Sequence, residues 1–187
     1  MPHAVFVTGA STGIGRCLAG RLGALGHVVF ASARRHADLQ ALAAIERVVP
    51  VRLDVRNPVE IAEAVRAVEA RGLGLWGLVN NAGIGGIGPI AAWTDDELEE
   101  IFAVNALGPV RATRAFLPLI LKSCGRVVNV GSQGGSISKK HFGPYTMTKH
   151  ALEAFTVALA EEIAPFGAHA AIEIGRASCR ERVWTVV

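Results

Sequence analysis

Short apolar runs alternate along the chain with longer segments in which apolar residues recur at helical spacing. Five runs have the length of buried strands, and a sixth begins near His169: Val5–Val7, Val28–Ala31, Val49–Leu53, Leu75–Val79 and Arg126–Val130. Alternation of strand and helix is typical of a parallel sheet covered by helices on both faces. Right-handed crossovers between the strands then predict an α/β fold of the doubly wound, Rossmann type, with strand order 3-2-1-4-5-6.

Local signals mark several helix boundaries. Asn57-Pro58 is a cap followed by proline at the first helical position, and Thr94 with Glu97 forms a capping box. Gly108-Pro109 predicts a break between two helices, and Pro118 predicts a kink or shortening in the helix that continues to Lys122. These signals support six helices between and beside the strands.

Tyr145 and Lys149 lie four residues apart in a predicted helix, so their side chains share one face. A phenol ordinarily loses its proton near pH ~10, and a nearby cation lowers that pKa by roughly one to three units. A Tyr-Lys pair can therefore work as a general acid and base near neutrality. The alternative for this pair alone is an amphipathic helix with a solvated lysine.

Three further features accompany the pair, each at the end of an apolar strand. Ser132 lies thirteen residues before Tyr145 and follows the run Val127–Val130. A glycine-rich turn, Thr8-Gly-Ala-Ser-Thr-Gly-Ile-Gly15, follows the first strand and precedes a helix, where free N–H groups can bind a pyrophosphate. Asn80-Asn-Ala-Gly83 ends the fourth strand.

Together these motifs resemble the short-chain dehydrogenase/reductase family, from about Val5 to Ile172. The resemblance implies an oxidoreductase that moves a hydride between a nicotinamide cofactor and a carbonyl or alcohol carbon. It implies Asn105, Ser132, Tyr145 and Lys149 as the catalytic residues. The residues that it implies for cofactor binding are Gly9, Ser11, Thr12, Gly13, Ile14, Gly15, Arg34, Asp54, Val55, Asn81, Ala82, Gly83, Tyr145 and Lys149.

The choice of cofactor is read at the end of the second strand. That strand ends Ala31-Ser-Ala-Arg34-Arg35 with no carboxylate at its tip, whereas NAD sites place an acidic residue there for the ribose 2′-OH. An arginine suits a 2′-phosphate, and in the family an arginine matching Arg34 goes with NADP. Asp54 matches the family residue that contacts the adenine amino group. We therefore expect NADP rather than NAD.

By the same resemblance, Tyr145 exchanges the proton with the substrate oxygen and Ser132 donates a hydrogen bond to it. Lys149 binds the nicotinamide ribose and lowers the phenol pKa. Asn105 is expected in the middle of a helix, holding a water that links Lys149 to solvent. The glycine-rich loop Ile84–Ile90 is expected to border the site of an apolar substrate.

Two other functions fit parts of this pattern. An epimerase or dehydratase of the extended branch of the superfamily also uses Tyr and Lys, but with Gly-x-x-Gly-x-x-Gly, and Thr12 stands in place of the second glycine. A non-catalytic nucleotide-binding module would have no need for Asn105, Ser132, Tyr145 and Lys149 together. Oxidation or reduction of the nicotinamide by ketones and alcohols separates these functions.

Composition limits the kind of protein and the partners that the chain can be expected to have. Of the 187 residues, 51% are apolar and 19% charged, which is typical of a compact globular chain. No apolar run approaches the length of a membrane span, and the net charge of +3 comes without a basic stripe, so neither a membrane nor nucleic acid is an expected partner. Scattered cysteines and histidines favour no metal site. The chain enters the first strand with no room for a signal peptide, so we expect a cytoplasmic protein. For the complete protein we expect a homo-dimer or homo-tetramer.

The C-terminal segment departs from the family pattern. Residues 1–173 read as the dinucleotide-binding domain, but the expected Pro-Gly turn and substrate-covering segment do not follow Glu173. The codons GAG-ATC-GGA-AGA-GCG encode Glu173 through Ala177 and spell a common sequencing-adapter core. We therefore expect Ile174–Val187 to be a non-native tail, with the C-terminal portion of the fold missing; the alternative is a natural, divergent tail.

Overall fold

The computed structural model describes residues 3–174, which form one sheet with helices on both faces. All strand pairs are parallel, and the order β3-β2-β1-β4-β5-β6 confirms the predicted doubly wound topology. The strands are β1 Ala4–Val7, β2 Val28–Ala33, β3 Val48–Arg52, β4 Gly77–Asn80, β5 Arg126–Val130 and β6 His169–Glu173. The helices are α1 Gly13–Ala24, α2 His36–Ala43, α3 Pro58–Glu69, α4 Asp95–Asn105, α5 Leu107–Lys122 and α6 Gly143–Ile163. Of the expected tail Ile174–Val187, residues 175–187 lie outside the described part.

Successive side chains of the central strands point to opposite faces of the sheet. Each face packs against helices and forms its own hydrophobic core. Phe6 and Phe30 point to the face covered by α3 to α6, where Phe116 of α5 packs on them. Val5 and Val29 point to the face covered by α1 and α2. Because both faces of β1 are covered, that strand is buried along its whole length, which explains its uninterrupted apolar sequence.

Buried amides and hydroxyls tie the central strands to the helices. Asn80 of β4 donates to Thr113 of α5 (2.9 Å) and to Asn129 of β5 (2.8 Å), and Asn129 donates to Thr156 of α6 (2.8 Å). All four side chains are buried. An unpaired polar group here would lose its water without a substitute, so the network fixes the register of β4, β5 and both helices.

The helix boundaries follow the local signals, with one difference. Asn57 accepts from the N–H groups of Val59 and Glu60, and Thr94 forms the predicted capping box with Glu97. The break between α4 and α5 lies at Ala106, so Gly108 and Pro109 belong to the first turn of α5. Proline is tolerated there because first-turn N–H groups have no partner within the helix.

Pro118 lies inside α5, which continues past it to Lys122, so the helix is not shortened at this proline. Across residues 3–174, no helix combines the length and the apolar character needed to cross a bilayer.

Candidate active site

The loops after β1, β2, β3, β4 and β5 enclose a cavity of about 710 Å³ at the carboxyl edge of the sheet. Most of the residues predicted for the site line this cavity: Gly9, Ser11, Thr12, Ile14, Arg34, Asp54, Val55, Asn81, Ala82, Gly83, Ser132, Tyr145 and Lys149. Gly13, Gly15 and Asn105 are not among the lining residues. Gly15 and Asn105 are buried behind the lining residues, whereas Gly13 is exposed at the start of α1.

The glycine turn packs directly on the turn after β4. Gly9 has a φ of +64°, and a Cβ there would lie 2.7 Å from the Cα of Ala82. A Cβ on Gly15 would overlap the side-chain amide of Asn81. Because only hydrogen atoms fit at these two positions, the backbone of the loop forms a close cradle at the N-terminus of α1.

Hydrogen bonds hold the two turns together. The hydroxyl of Thr8 accepts from the backbone N–H groups of Asn81 (2.9 Å) and Ala82 (3.0 Å). The side-chain amide of Asn81 donates to the carbonyls of Thr8 and Gly9, both at 2.9 Å. The first turn of α1 carries no acidic residue, and Thr12 makes no capping bond within the helix. A helix N-terminus opening on a glycine cradle fits the pyrophosphate of a dinucleotide.

Lys149 of α6 lines the same cavity. Its Nζ donates to the carbonyl of Val130 at 2.8 Å and lies 5.9 Å from the centroid of the Tyr145 ring. Only 7% of Lys149 is exposed. Burial removes water from the ammonium group and lowers the pKa of Lys149 from 10.5 to about 8. One helix face thus presents a phenol and a lysine side by side, as the spacing predicts.

Ser132 and Tyr145 lie on either side of Gly134. A Cβ on Gly134 would be 3.3 Å from Cε1 of Tyr145 and 3.5 Å from Oγ of Ser132. Ser132 caps the short 3₁₀ turn Gln133–Gly135 by accepting from the N–H of Gly134 at 3.1 Å. Ser132 at the end of β5 and Tyr145 of α6 thus lie close to the same glycine, and both line the same cavity.

Asn105 lies at the end of α4, so the expectation of a mid-helix position was wrong. The helix ends there because the chain turns at Ala106 into α5. The side chain of Asn105 is hydrogen-bonded to the backbone of Ile84. Its Oδ1 accepts from the N–H and its Nδ2 donates to the carbonyl, both at 2.8 Å. Nδ2 also contacts Thr148 Oγ1 at 3.3 Å, and Thr148 donates to the carbonyl of Tyr145. Asn105 thus links the loop after β4 to α6.

A group of charged residues surrounds the outer end of the cavity. The Arg34 side chain is 61% exposed, and its Nη1 lies 3.9 Å from Oδ2 of Asp54. Asp54 accepts much shorter hydrogen bonds from Arg56, which also reaches Glu100 of α4. These hydrogen bonds from Arg56 hold the pKa of Asp54 below its ordinary value.

Sequence reasoning missed several residues at this cavity. Phe142, Val104 and Val130 also line it, together with the predicted border residues Ile84–Ile87. Arg56 was not singled out, although its place two residues after Asp54 in a loop puts it in reach of that carboxylate. Phe142 gave no such signal, since it stands in an irregular segment before α6.

Known proteins resemble this chain over most of its length. The model of the family described as short chain dehydrogenase matches residues 3–176. Retinol dehydrogenase 5 of Mus musculus is 39% identical over 174 residues, which cover 90% of this chain and 54% of that protein. The chain thus spans about half the length of the curated relatives it matches.

Two solved structures resemble the fold closely. A short-chain dehydrogenase from Streptomyces avermitilis has a TM-score of 0.86 at 39% identity, covering 91% of this chain and 64% of that one. An actinorhodin polyketide ketoreductase, solved with NADPH, has a TM-score of 0.85 at 35% identity, covering 92% and 68%. The matched family model spans all of the residues described above, and the chain belongs to the short chain dehydrogenase family.

Proposed function

We propose that this chain forms the cofactor-binding and catalytic part of an NADP(H)-dependent oxidoreductase that interconverts a carbonyl and a secondary or primary alcohol. The observation that carries the proposal is the meeting of Ser132, Tyr145 and Lys149 at one wall of a cavity whose other end is the glycine cradle. A bound nicotinamide cofactor would supply or accept the hydride. The work of the chain is to position the reacting groups and move a proton.

In this proposal the residues have distinct tasks. Ser132 and Tyr145 offer two hydroxyls to one substrate oxygen, and Tyr145 exchanges the proton with it. Lys149 provides a positive charge beside the phenol, held in place by the carbonyl of Val130. Asn105 positions the loop after β4 through the backbone of Ile84. Whether Asn105 also holds a water toward Lys149 stays a prediction.

The cofactor end of the cavity supports NADP(H) over NAD(H). Arg34 is the cation at the tip of β2, and the second strand carries no carboxylate there. An arginine suits a phosphate because of its charge and its forked N–H donors. The similar ketoreductase, which was solved with NADPH, lends this choice further support.

The apolar residues of the cavity favour an apolar substrate. Ile84, Ile87, Val104 and Phe142 are among its lining residues, and a retinol dehydrogenase is among the similar proteins. We therefore propose an apolar ketone, aldehyde or alcohol as the substrate. Cytoplasmic location and homo-oligomeric assembly stay predictions.

Tyr145→Phe tests the reaction. In the complete protein, with NADPH and a panel of apolar ketones and aldehydes, the change should lower kcat by about 10²–10⁴-fold, the usual contribution of a positioned acid or base. NADPH affinity should stay nearly unchanged, because the ring still packs. Met147→Leu, an exposed change on the same helix, is the control. Near-normal kcat in the phenylalanine variant would refute the proposed role, and turnover without net change in nicotinamide absorbance would favour an epimerase.

A further inference from the structure

Arg34 stands beside a carboxylate without bonding to it. Over residues 3–174 its guanidinium makes no hydrogen bond, and the nearest acidic oxygen, Oδ2 of Asp54, is 3.9 Å from Nη1. Arg34 is mostly exposed and borders both the main cavity and a neighbouring groove of about 470 Å³. An arginine this close to a carboxylate normally forms a forked hydrogen-bonded pair with it. The pair does not form here because Asp54 is already bonded to Arg56.

Arg56 holds the carboxylate of Asp54 from the other side. Its Nε lies 3.0 Å from Oδ1 and its Nη2 lies 2.7 Å from Oδ2, which is the forked geometry. The backbone N–H of Arg56 adds a third bond to Oδ1 at 2.9 Å. The remaining nitrogen, Nη1, donates to Glu100 of α4 at 2.9 Å. All three guanidinium nitrogens of Arg56 are engaged, so its position is set by two elements of the fold.

This arrangement matters for a ligand that carries a phosphate. A free Asp54 carboxylate would compete with a phosphate for Arg34, and the two anions would repel each other at such a short distance. With its charge matched by Arg56, the same carboxylate leaves Arg34 open. A cofactor without the 2′-phosphate forms no bond to Arg34, so its affinity would not depend on whether Arg34 is free.

We propose that Arg56 is a positioning residue for cofactor selection: by holding Asp54 through a forked pair, it keeps Arg34 available to the 2′-phosphate of NADP(H). The inference rests on the NADP(H) preference proposed above and adds the residue that maintains it. Arg56 acts through Asp54 rather than on the phosphate, because each of its guanidinium nitrogens already donates to a carboxylate.

The test measures dissociation constants of NADPH and NADH by isothermal titration in the complete protein. Arg56→Gln should weaken NADPH binding about tenfold, the size of one hydrogen bond to a charged group, and change NADH binding less than about twofold. The ratio of the two constants is the readout, since adenine is common to both cofactors and changes in its contacts cancel. An unchanged ratio would refute the inference.

Arg52→Gln is the matched control. Arg52 lies in the same groove and is also paired with a carboxylate, with Nη2 3.4 Å from Oε1 of Glu60, but it does not bond to Asp54. Glu60 accepts from the backbone N–H of Asp54 at 2.7 Å and does not touch the Asp54 carboxylate. Its loss removes the same charge from the same region. An equal change of this ratio in Arg52→Gln would mean that net charge alone acts, and this too would overturn the proposal.

A double variant separates positioning from direct binding. Adding Asp54→Asn to Arg56→Gln removes the competing carboxylate and should return the NADPH/NADH ratio close to that of the unmodified protein. Failure of the ratio to recover would show that Arg56 binds the phosphate itself.

Arg34→Gln separates a failure of the NADP(H) assignment from a failure of the role proposed for Arg56. If it leaves the ratio unchanged, the NADP(H) assignment fails and the inference with it; if it alters the ratio while Arg56→Gln does not, only the inference fails.

Discussion

The buried ammonium of Lys149 should make the stability of the fold depend on pH in an alkaline window. Its folded-state pKa is about 8, whereas an exposed lysine in the unfolded chain titrates near 10.5. Between these values the unfolded state binds more protons than the folded state, so stability rises as the pH increases. Below about pH 8 both states are protonated and the full penalty of burying the charge is present.

The magnitude follows from the two pKa values. At ~1.36 kcal/mol for each pH unit, the gap between 10.5 and about 8 corresponds to about 3 kcal/mol. Lys149→Met removes the titrating group while filling similar space. The free energy of unfolding of the unmodified protein should therefore increase by about 3 kcal/mol relative to the variant between pH 7 and pH 10.5.

Urea unfolding of both proteins without cofactor, at half-unit steps of pH, measures this difference. With both proteins made in a Tyr145→Phe background, the other groups titrate alike and cancel. The hydrogen bond to Val130 is lost in the variant at every pH, so it shifts the difference by a constant and leaves the slope unchanged. A difference that stays flat across the window would show that Lys149 keeps an ordinary pKa, and the burial argument would be wrong.

Two further changes test the packing of the site and of the sheet. Gly9→Ala should destabilise the protein by about 3 kcal/mol and weaken dinucleotide binding, since it adds overlap with Ala82 to the strain of a positive φ. Gly72→Ala, with the same φ of +64° and no atom within 4 Å of the new Cβ, should cost about 1 kcal/mol; equal losses would refute the close approach. Thr156→Val should cost about 1–3 kcal/mol by leaving Asn129 Nδ2 unpaired, and adding Asn129→Leu should cost less than the sum of the single changes in urea unfolding.

The order of the sheet and most helix boundaries could be predicted because their causes are local. Apolar runs and helical spacing reveal which residues are buried, and caps such as Asn57 and Thr94 act within three residues of themselves. The spacing of Tyr145 and Lys149 likewise fixes their shared helix face. Parallel topology then brings the strand ends together without any further information.

The parts that escaped prediction depend on contacts between segments far apart in the chain. Arg56 meets Glu100 across 44 residues, and only the packing of α4 beside the loop after β3 makes that pair possible. Asn129 is the single polar residue in an apolar run, which hints at a buried partner but does not name Thr156. The role expected for Asn105 rested on family resemblance and said nothing of the backbone of Ile84, which its side chain actually holds.

The grip of Asn105 on Ile84 bears on how this site could change its substrate during evolution. Asn105 bonds only to main-chain atoms of the loop, and the N–H of Gly88 is likewise held by the main-chain carbonyl of His141 at 2.9 Å. Neither contact involves a side chain of the loop after β4. Gly85, where no atom lies within 4 Å of a new Cβ, and Ile87, which is 68% exposed, can therefore change their side chains while the loop stays anchored beside the helix that carries Tyr145. Gly86 is fixed, because a Cβ there would overlap the ring of Trp93. Under the proposed function, single substitutions at the two free positions would alter the wall that meets the substrate and leave the proposed acid–base pair in place.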